Sequence, residues 1–108
     1  MQFKINNKTW EIKELDNTEF LELIKKISEE QNVQNEGFVF GFCDYASHSI
    51  YLNNYQCEEE KKATLTHELI HCWLWSHGAS YTSYSEDAVC DTVSASYDFI
   101  HKIINNYF

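Results

Sequence analysis

The segment TLTHELIHCWLWSHG, residues 64–78, constrains this chain most, because it places three histidines and a glutamate within eleven positions. His67 and His71 are four residues apart, and residues at that spacing lie on one face of an α-helix. Their imidazole nitrogens can therefore reach one metal ion. Apolar side chains surround the pair and predict a helix packed into a core: Leu65, Leu69, Ile70, Trp73 and Leu74.

Glu68 follows His67 and projects to the side of the two histidines on a helical wheel. This position is poorly placed for metal ligation but well placed to hold a water beside the ion. Two histidines that bind zinc, with a glutamate that takes a proton from water, form the zincin arrangement. The sequence therefore predicts Zn²⁺ bound by His67 and His71, with Glu68 as the general base.

His77 offers one possible third ligand, since HExxHxxxxxH is the metzincin spacing. Metzincins need a glycine at the position that Leu74 occupies here, and a methionine turn below the metal. The only methionine of this chain is Met1. If the helix continues, His77 lies about 240° round its axis from His71. We therefore expect His77 to end the helix before Gly78.

The segment YSEDAVCDTVSA offers a carboxylate as the third ligand instead. Gluzincins, the thermolysin-like clan, carry an ExxxD pattern on the next helix, in which the glutamate binds zinc and the aspartate orients a ligand histidine. Asp87 and Asp91 have this spacing, but with aspartate in place of glutamate. Glu86 has the right side chain but meets Cys90 four residues on. The four-residue register with Asp91 favours Asp87 as the ligand, whereas side-chain identity favours Glu86. Asp91 is expected to orient a ligand histidine.

Chain length predicts a single domain over residues 1–108, and hydrophobic periodicity predicts that it contains the strands and helices of an α+β fold. Alternation on both sides of Asn6-Asn7 indicates a hairpin. A cap within residues 16–18 precedes a helix whose apolar stripe is Phe20, Leu23, Ile24 and Ile27. Phe38, Phe40, Phe42 and then Ile50–Leu52 predict a second antiparallel pair, which could offer its edge to an extended peptide. We expect a small antiparallel sheet.

Two further helices complete the predicted architecture. The first runs from Glu58 to about Ser76 and carries the histidines. The second begins near Ser85 and continues to the C-terminus. Its predicted apolar face consists of Val89, Val93, Ile100, Ile103 and Ile104.

The charge balance of 8 basic against 17 acidic residues gives a net charge of −9. Such a chain is unsuited to nucleic acid or to anionic membrane surfaces, whereas a basic protein partner would suit it. No signal-peptide pattern or membrane-length apolar run is present. The four cysteines lack CxxC spacing and are expected to be reduced thiols in a cytoplasmic protein.

Residues 38–104 resemble compact HExxH proteins of phage and other mobile elements, and more distantly the ImmA/IrrE metallopeptidase family. The resemblance is carried by CDYASHSIYLNN, ATLTHELIHCWLWSHG and YSEDAVCDTVSA. It implies a minimal zincin fold, with a small antiparallel sheet, the HExxH helix and a following C-terminal helix that provides the third ligand. If Asp87 is the third ligand, the chain departs from the family pattern there, because the family has glutamate at that position.

Two functions follow as expectations. The first is a zinc-dependent metallopeptidase that cleaves a protein or peptide substrate, with Tyr81, Tyr84 or His101 as candidates for stabilising the oxyanion. The second is a catalytically silent protein of the same fold that binds and inhibits a host partner. The intact Glu68 favours the first, because a binding protein has no use for a general base.

Overall fold

The computed structural model describes residues 1–31, 40–77 and 86–108, without the side chains of residues 28, 30, 31, 86–91 and 94. It confirms an α+β chain. The strands are β1 (Gln2–Ile5), β2 (Lys8–Leu15), β3 (Gly41–Asp44) and β4 (Ser49–Asn53). The helices are α1 (Asn17–Gln31), α2 (Glu58–Ser76) and α3 (Glu86–Tyr107).

The N-terminal hairpin is confirmed, with β1 antiparallel to β2 and Phe3 opposite Trp10. Asn6 and Asn7 have φ values of 50° and 66°. Two successive residues with positive φ form the tight turn whose twist matches paired strands, and asparagine tolerates that conformation. The Asn6 side chain also donates a 2.9 Å hydrogen bond to the carbonyl of Ser76, which ties the turn to the end of α2.

The sheet has the strand order β1-β2-β4-β3 and is mixed rather than antiparallel. β3 and β4 pair antiparallel, as predicted, with Cys43 opposite Ile50. The expectation of a wholly antiparallel sheet is wrong at the centre, where β2 runs parallel to β4 with Ile12 opposite Ile50. Parallel neighbours require a long crossover, and the chain between these two strands contains α1. Periodicity reveals a strand but not the direction of its neighbour.

One face of the sheet carries the main core, which α2 and α3 cover. Its buried members are Phe3, Ile5, Trp10, Ile12, Cys43, Ile50, Leu52, Leu65, Leu69, Cys72, Ile100 and Ile103. Strand alternation directs Asn53 to the opposite face. There its amide donates a 2.9 Å hydrogen bond to Asn17, at the start of α1.

Helix α1 begins as predicted, because the Asp16 carboxylate accepts a 2.8 Å hydrogen bond from the backbone N–H of Glu19. Of its predicted stripe, Phe20, Ile24 and Ile27 are buried. They do not belong to the core under α2 and α3.

The bounds of α2 agree with the prediction, and Glu58, Glu59 and Glu60 stand in its first turn, where the helix dipole favours negative charge. In α3 the predicted core positions Ile100 and Ile103 are buried, but Val93 is 45% exposed and does not belong to the core. Instead Val93 lines a surface cleft between α2 and α3. Among the helices in the described ranges, none has the length and apolarity that a membrane span requires.

Candidate metal centre

The two histidines of α2 converge on one point. Their Nε2 atoms lie 3.1 Å apart, and the ring planes are inclined at 70°. Two nitrogens that each lie 2.0–2.1 Å from a tetrahedral zinc ion are separated by roughly 3.3 Å. The spacing of His67 and His71 therefore fits two ligands of one zinc ion, with both nitrogens on the same side of the helix.

His71 is suited to ligation by its protonation state as well as by its position. Burial lowers its pKa, and the neighbouring His67 lowers it further. A depressed pKa favours the neutral imidazole, which is the form that binds a metal ion.

Glu68 lies beside this pair but is turned into the protein, where it is 7% exposed. Burial raises the pKa of its carboxyl to about 7, because a carboxylate loses hydration in that position. A carboxyl group that titrates near neutral pH can both accept and return a proton. Its burial distinguishes Glu68 from the exposed glutamates Glu58, Glu59 and Glu60 at the start of the same helix.

At Gly41, strand β3 packs so closely against α2 that a side chain on this residue would not fit. A Cβ atom on Gly41 would lie 2.5 Å from Cγ2 of Thr64 and 3.3 Å from Cγ of Glu68. Glycine is therefore required at this position for β3 to reach its observed distance from α2. Nothing in the sequence pattern predicts the role of Gly41, because this role depends on a contact between residues far apart in the chain.

A surface cleft lies where β3 meets α2. Its lining consists of Phe40, Gly41, Ala63, Thr64, His67 and Glu68. In the described sheet β3 is an outer strand, so that one side of its backbone faces away from β4. The cleft therefore brings together one candidate ligand, the candidate base and the edge of the sheet.

The side chain of Gln56 forms hydrogen bonds that hold the start of β3 beside the cleft. Nothing in the sequence pattern predicted this role of Gln56. Its Nε2 donates to the carbonyls of Phe40 at 3.0 Å and Asn53 at 2.6 Å. Its Oε1 accepts a 3.0 Å hydrogen bond from the hydroxyl of Thr64. One side chain thus connects β3, β4 and α2 beside the cleft.

His77 occupies the C-terminal end of α2, as the sequence predicts. Its Nδ1 lies 2.8 Å from the carbonyl oxygen of Trp73, and its ring stacks on the Trp73 ring at 4.3 Å between centroids. With its proton on Nδ1, the ring donates to that carbonyl, which also accepts a 3.1 Å hydrogen bond from the backbone N–H of His77.

The candidate third ligands lie in the first turns of α3, and the side chains of Glu86, Asp87 and Asp91 are outside the described residues. Over the side chains that are described, no group of three or more possible metal ligands comes together. The choice among these acids therefore stays a prediction.

The oxyanion candidates Tyr81 and Tyr84 also fall outside the described residues. His101 stacks on Tyr97 and lines the cleft between α2 and α3 with Thr66 and Ile70. That cleft is separate from the one that contains Glu68.

Three comparisons with known proteins gave no functional assignment for this chain. A scan against protein-family models, a search of curated proteins and a search of solved structures each found no match. The chemistry of the described side chains and the spacing of the motif therefore carry the functional argument.

Proposed function

We propose that this chain is a zinc-dependent metallopeptidase with a minimal zincin fold. The observation that carries the proposal is the 3.1 Å separation between the Nε2 atoms of His67 and His71. The buried Glu68 directly follows His67 in the chain. On a helix that faced only solvent, a glutamate between these two histidines would be exposed, whereas Glu68 is buried. Together, the two histidines and the acid match the requirements of an HExxH centre.

In this proposal His67 and His71 hold zinc with a carboxylate from α3 as the third ligand. Register favours Asp87 and side-chain chemistry favours Glu86, while Asp91 orients one of the histidines. When bound, zinc would supply Lewis acidity, which lowers the pKa of water to about 7 and polarises the scissile carbonyl.

Glu68 carries the proton transfers. Its carboxylate accepts the proton of the attacking water and then donates it to the leaving amine. In the metal-free protein, burial raises the pKa of this carboxyl to about 7, so that its protonated and charged forms are close in free energy at neutral pH. The close approach of Gly41 keeps the methylene groups of Glu68 packed beneath β3.

The proposed substrate is an extended segment of a protein or peptide. An outer strand can add such a segment by backbone hydrogen bonds, with side chains directed alternately to the two faces. β3 borders the cleft that contains His67 and Glu68, so a segment paired with β3 would pass close to both side chains. Net charge −9 favours the approach of a basic substrate.

The decisive experiment compares the zinc-loaded protein with Glu68→Gln on a peptide library whose products are identified by mass spectrometry. We expect Glu68→Gln to bind zinc normally and to lose at least about 100-fold in turnover. Glu59→Gln, a substitution of an exposed glutamate on the same helix, serves as the matched control and should leave turnover unchanged.

Three outcomes separate the possible functions. Cleavage that persists in Glu68→Gln contradicts the catalytic role of this residue. A protein that binds zinc but cleaves no peptide, and instead associates tightly with a basic protein, supports the alternative of a zincin-fold inhibitor of a host partner. A protein that binds no zinc contradicts both.

A further inference from the structure

Two buried thiols are in contact between β3 and α2, and one of them, Cys72, directly follows His71 in the chain. The Sγ atoms of Cys43 on β3 and Cys72 on α2 lie 3.1 Å apart. Cys72 is fully buried and Cys43 is 7% exposed. Both are free thiols. At this distance one thiol donates a hydrogen bond to the other, and a disulfide bond needs the sulfur atoms about 1 Å closer.

The thiol pair belongs to the same strand–helix contact as the candidate general base. Gly41 and Cys43 lie two residues apart and face the same side of β3. Glu68 and Cys72 lie four residues apart and face β3 from successive turns of α2. The two contacts, Gly41 with Glu68 and Cys43 with Cys72, therefore follow one another along a single interface.

We propose that Cys43 and Cys72 form an oxidation site, at which a low-molecular-weight disulfide such as oxidised glutathione converts the dithiol into an intrachain disulfide. The product would join β3 covalently to α2, one residue after His71. This inference depends only on the geometry of the two sulfur atoms and stands or falls independently of the proposed peptidase activity.

The reaction proceeds by two exchanges. Cys43, the more exposed thiol, loses its proton and attacks one sulfur of glutathione disulfide, which releases one glutathione thiol and leaves a mixed disulfide on Cys43. Cys72 then loses its proton and attacks the Cys43 sulfur, which releases the second glutathione thiol. Two protein thiols are oxidised, and one glutathione disulfide is reduced to two thiols.

The structure also predicts the effect of the bond on stability. It would link residues 29 positions apart, so that the unfolded chain would lose conformational freedom. Because the sulfur atoms already touch, the native state needs little rearrangement. We expect the oxidised form to unfold at a melting temperature at least about 5 °C higher than the reduced form.

The test uses the full chain with Cys57→Ser and Cys90→Ser, which leaves Cys43 and Cys72 as its only cysteines. The protein is incubated with oxidised glutathione in the native state and also during refolding from urea. We expect a mass loss of about 2 Da, a Cys43–Cys72 link in the peptide map, and the rise in melting temperature. Adding Cys72→Ala to this background provides the control, which should form no intrachain link.

Two outcomes would overturn the proposal. One is a protein that retains both thiols, or carries only glutathione adducts, after both treatments. The other is a disulfide that forms but lowers the melting temperature, because the native strand–helix contact would then not accept the bond.

Discussion

Gly41 lies so close to Thr64 that a Cβ atom on the glycine would come within 2.5 Å of the threonine Cγ2. We expect Gly41→Ala to destabilise the fold by about 1–3 kcal/mol, because overpacking at a rigid contact forces β3 and α2 apart. Thr64→Ser removes Cγ2 but keeps the hydroxyl that donates to Gln56. The double variant should therefore recover most of the lost stability.

Urea unfolding of the wild type, the two single variants and the double variant provides the measurement, as a double-mutant cycle. If the effects of the two substitutions simply add, the contact between Gly41 and Thr64 does not limit the approach of the strand.

Zinc affinity distinguishes the candidate ligands. His67→Ala and His71→Ala should each abolish tight zinc binding, because the two remaining ligands cannot hold the ion. Asp87→Ala should weaken binding more than Glu86→Ala, if register decides the third ligand. Asp91→Ala should cost about 10- to 100-fold through the orientation of a histidine. Competition with a fluorescent chelator measures each dissociation constant.

Asp98→Ala is the matched control for these variants, because Asp98 is an exposed acid on the same helix α3. Its zinc affinity should equal that of the wild type. A larger loss for Glu86→Ala than for Asp87→Ala would transfer the ligand role to Glu86.

The buried Glu68 makes the stability of the metal-free protein depend on pH. Its pKa rises from the ordinary 4.5 to about 7 on folding, because burial disfavours the charged form. The favourable contribution of the neutral acid is therefore complete below pH 4.5 and is lost as the pH rises through 7. Glu68→Gln, which stays neutral, should stabilise the metal-free protein by about 1–3 kcal/mol near pH 8.

Urea unfolding in the presence of a chelator tests this expectation at about pH 5 and about pH 8, and the gain should be much smaller at the lower pH. Equal stabilities of wild type and Glu68→Gln at the higher pH would show that the carboxylate is adequately solvated in the fold. The same substitution would thus increase stability while it removes the proposed catalytic base, as expected for a functional site that costs stability.

The C-terminal end of α3 is attached to β2 through Glu14. This carboxylate accepts a hydrogen bond from the Tyr107 hydroxyl. It also forms a 2.7 Å ion pair with Lys61. Burial alone would raise the pKa of Glu14, but the bonds from Lys61 and Tyr107 lower it below the ordinary 4.5. The stabilisation is therefore present above that pH and is lost as the pH falls through the lowered value.

Tyr107→Phe should cost about 0.5–1.5 kcal/mol near neutral pH and less at an acid pH below the lowered pKa of Glu14, where the carboxyl is protonated and the hydrogen bond is weaker. Tyr97→Phe, on an exposed tyrosine of the same helix, should change stability little at either pH. An equal loss for Tyr107→Phe at both pH values would mean that its hydroxyl contributes through packing alone.

The local elements and the core of the candidate site could be predicted from the sequence. Residues four apart on a helix share a face whatever surrounds them, so the spacing of His67 and His71 was enough to predict that their rings converge. The hairpin at Asn6-Asn7 and the bounds of α2 also followed from local preferences. Each of these features depends on residues that are close together in the chain.

Only the tertiary structure decided how these elements meet. The parallel pairing of β2 with β4, the contact of Gly41 with Thr64, and the adjacency of Cys43 and Cys72 join residues far apart in sequence. Periodicity shows which face of an element is buried, but not which element covers it. The sequence by itself therefore determined the chemistry presented on α2, whereas the packing of β3 against α2 determined the burial of Glu68 and the shape of the cleft beside it.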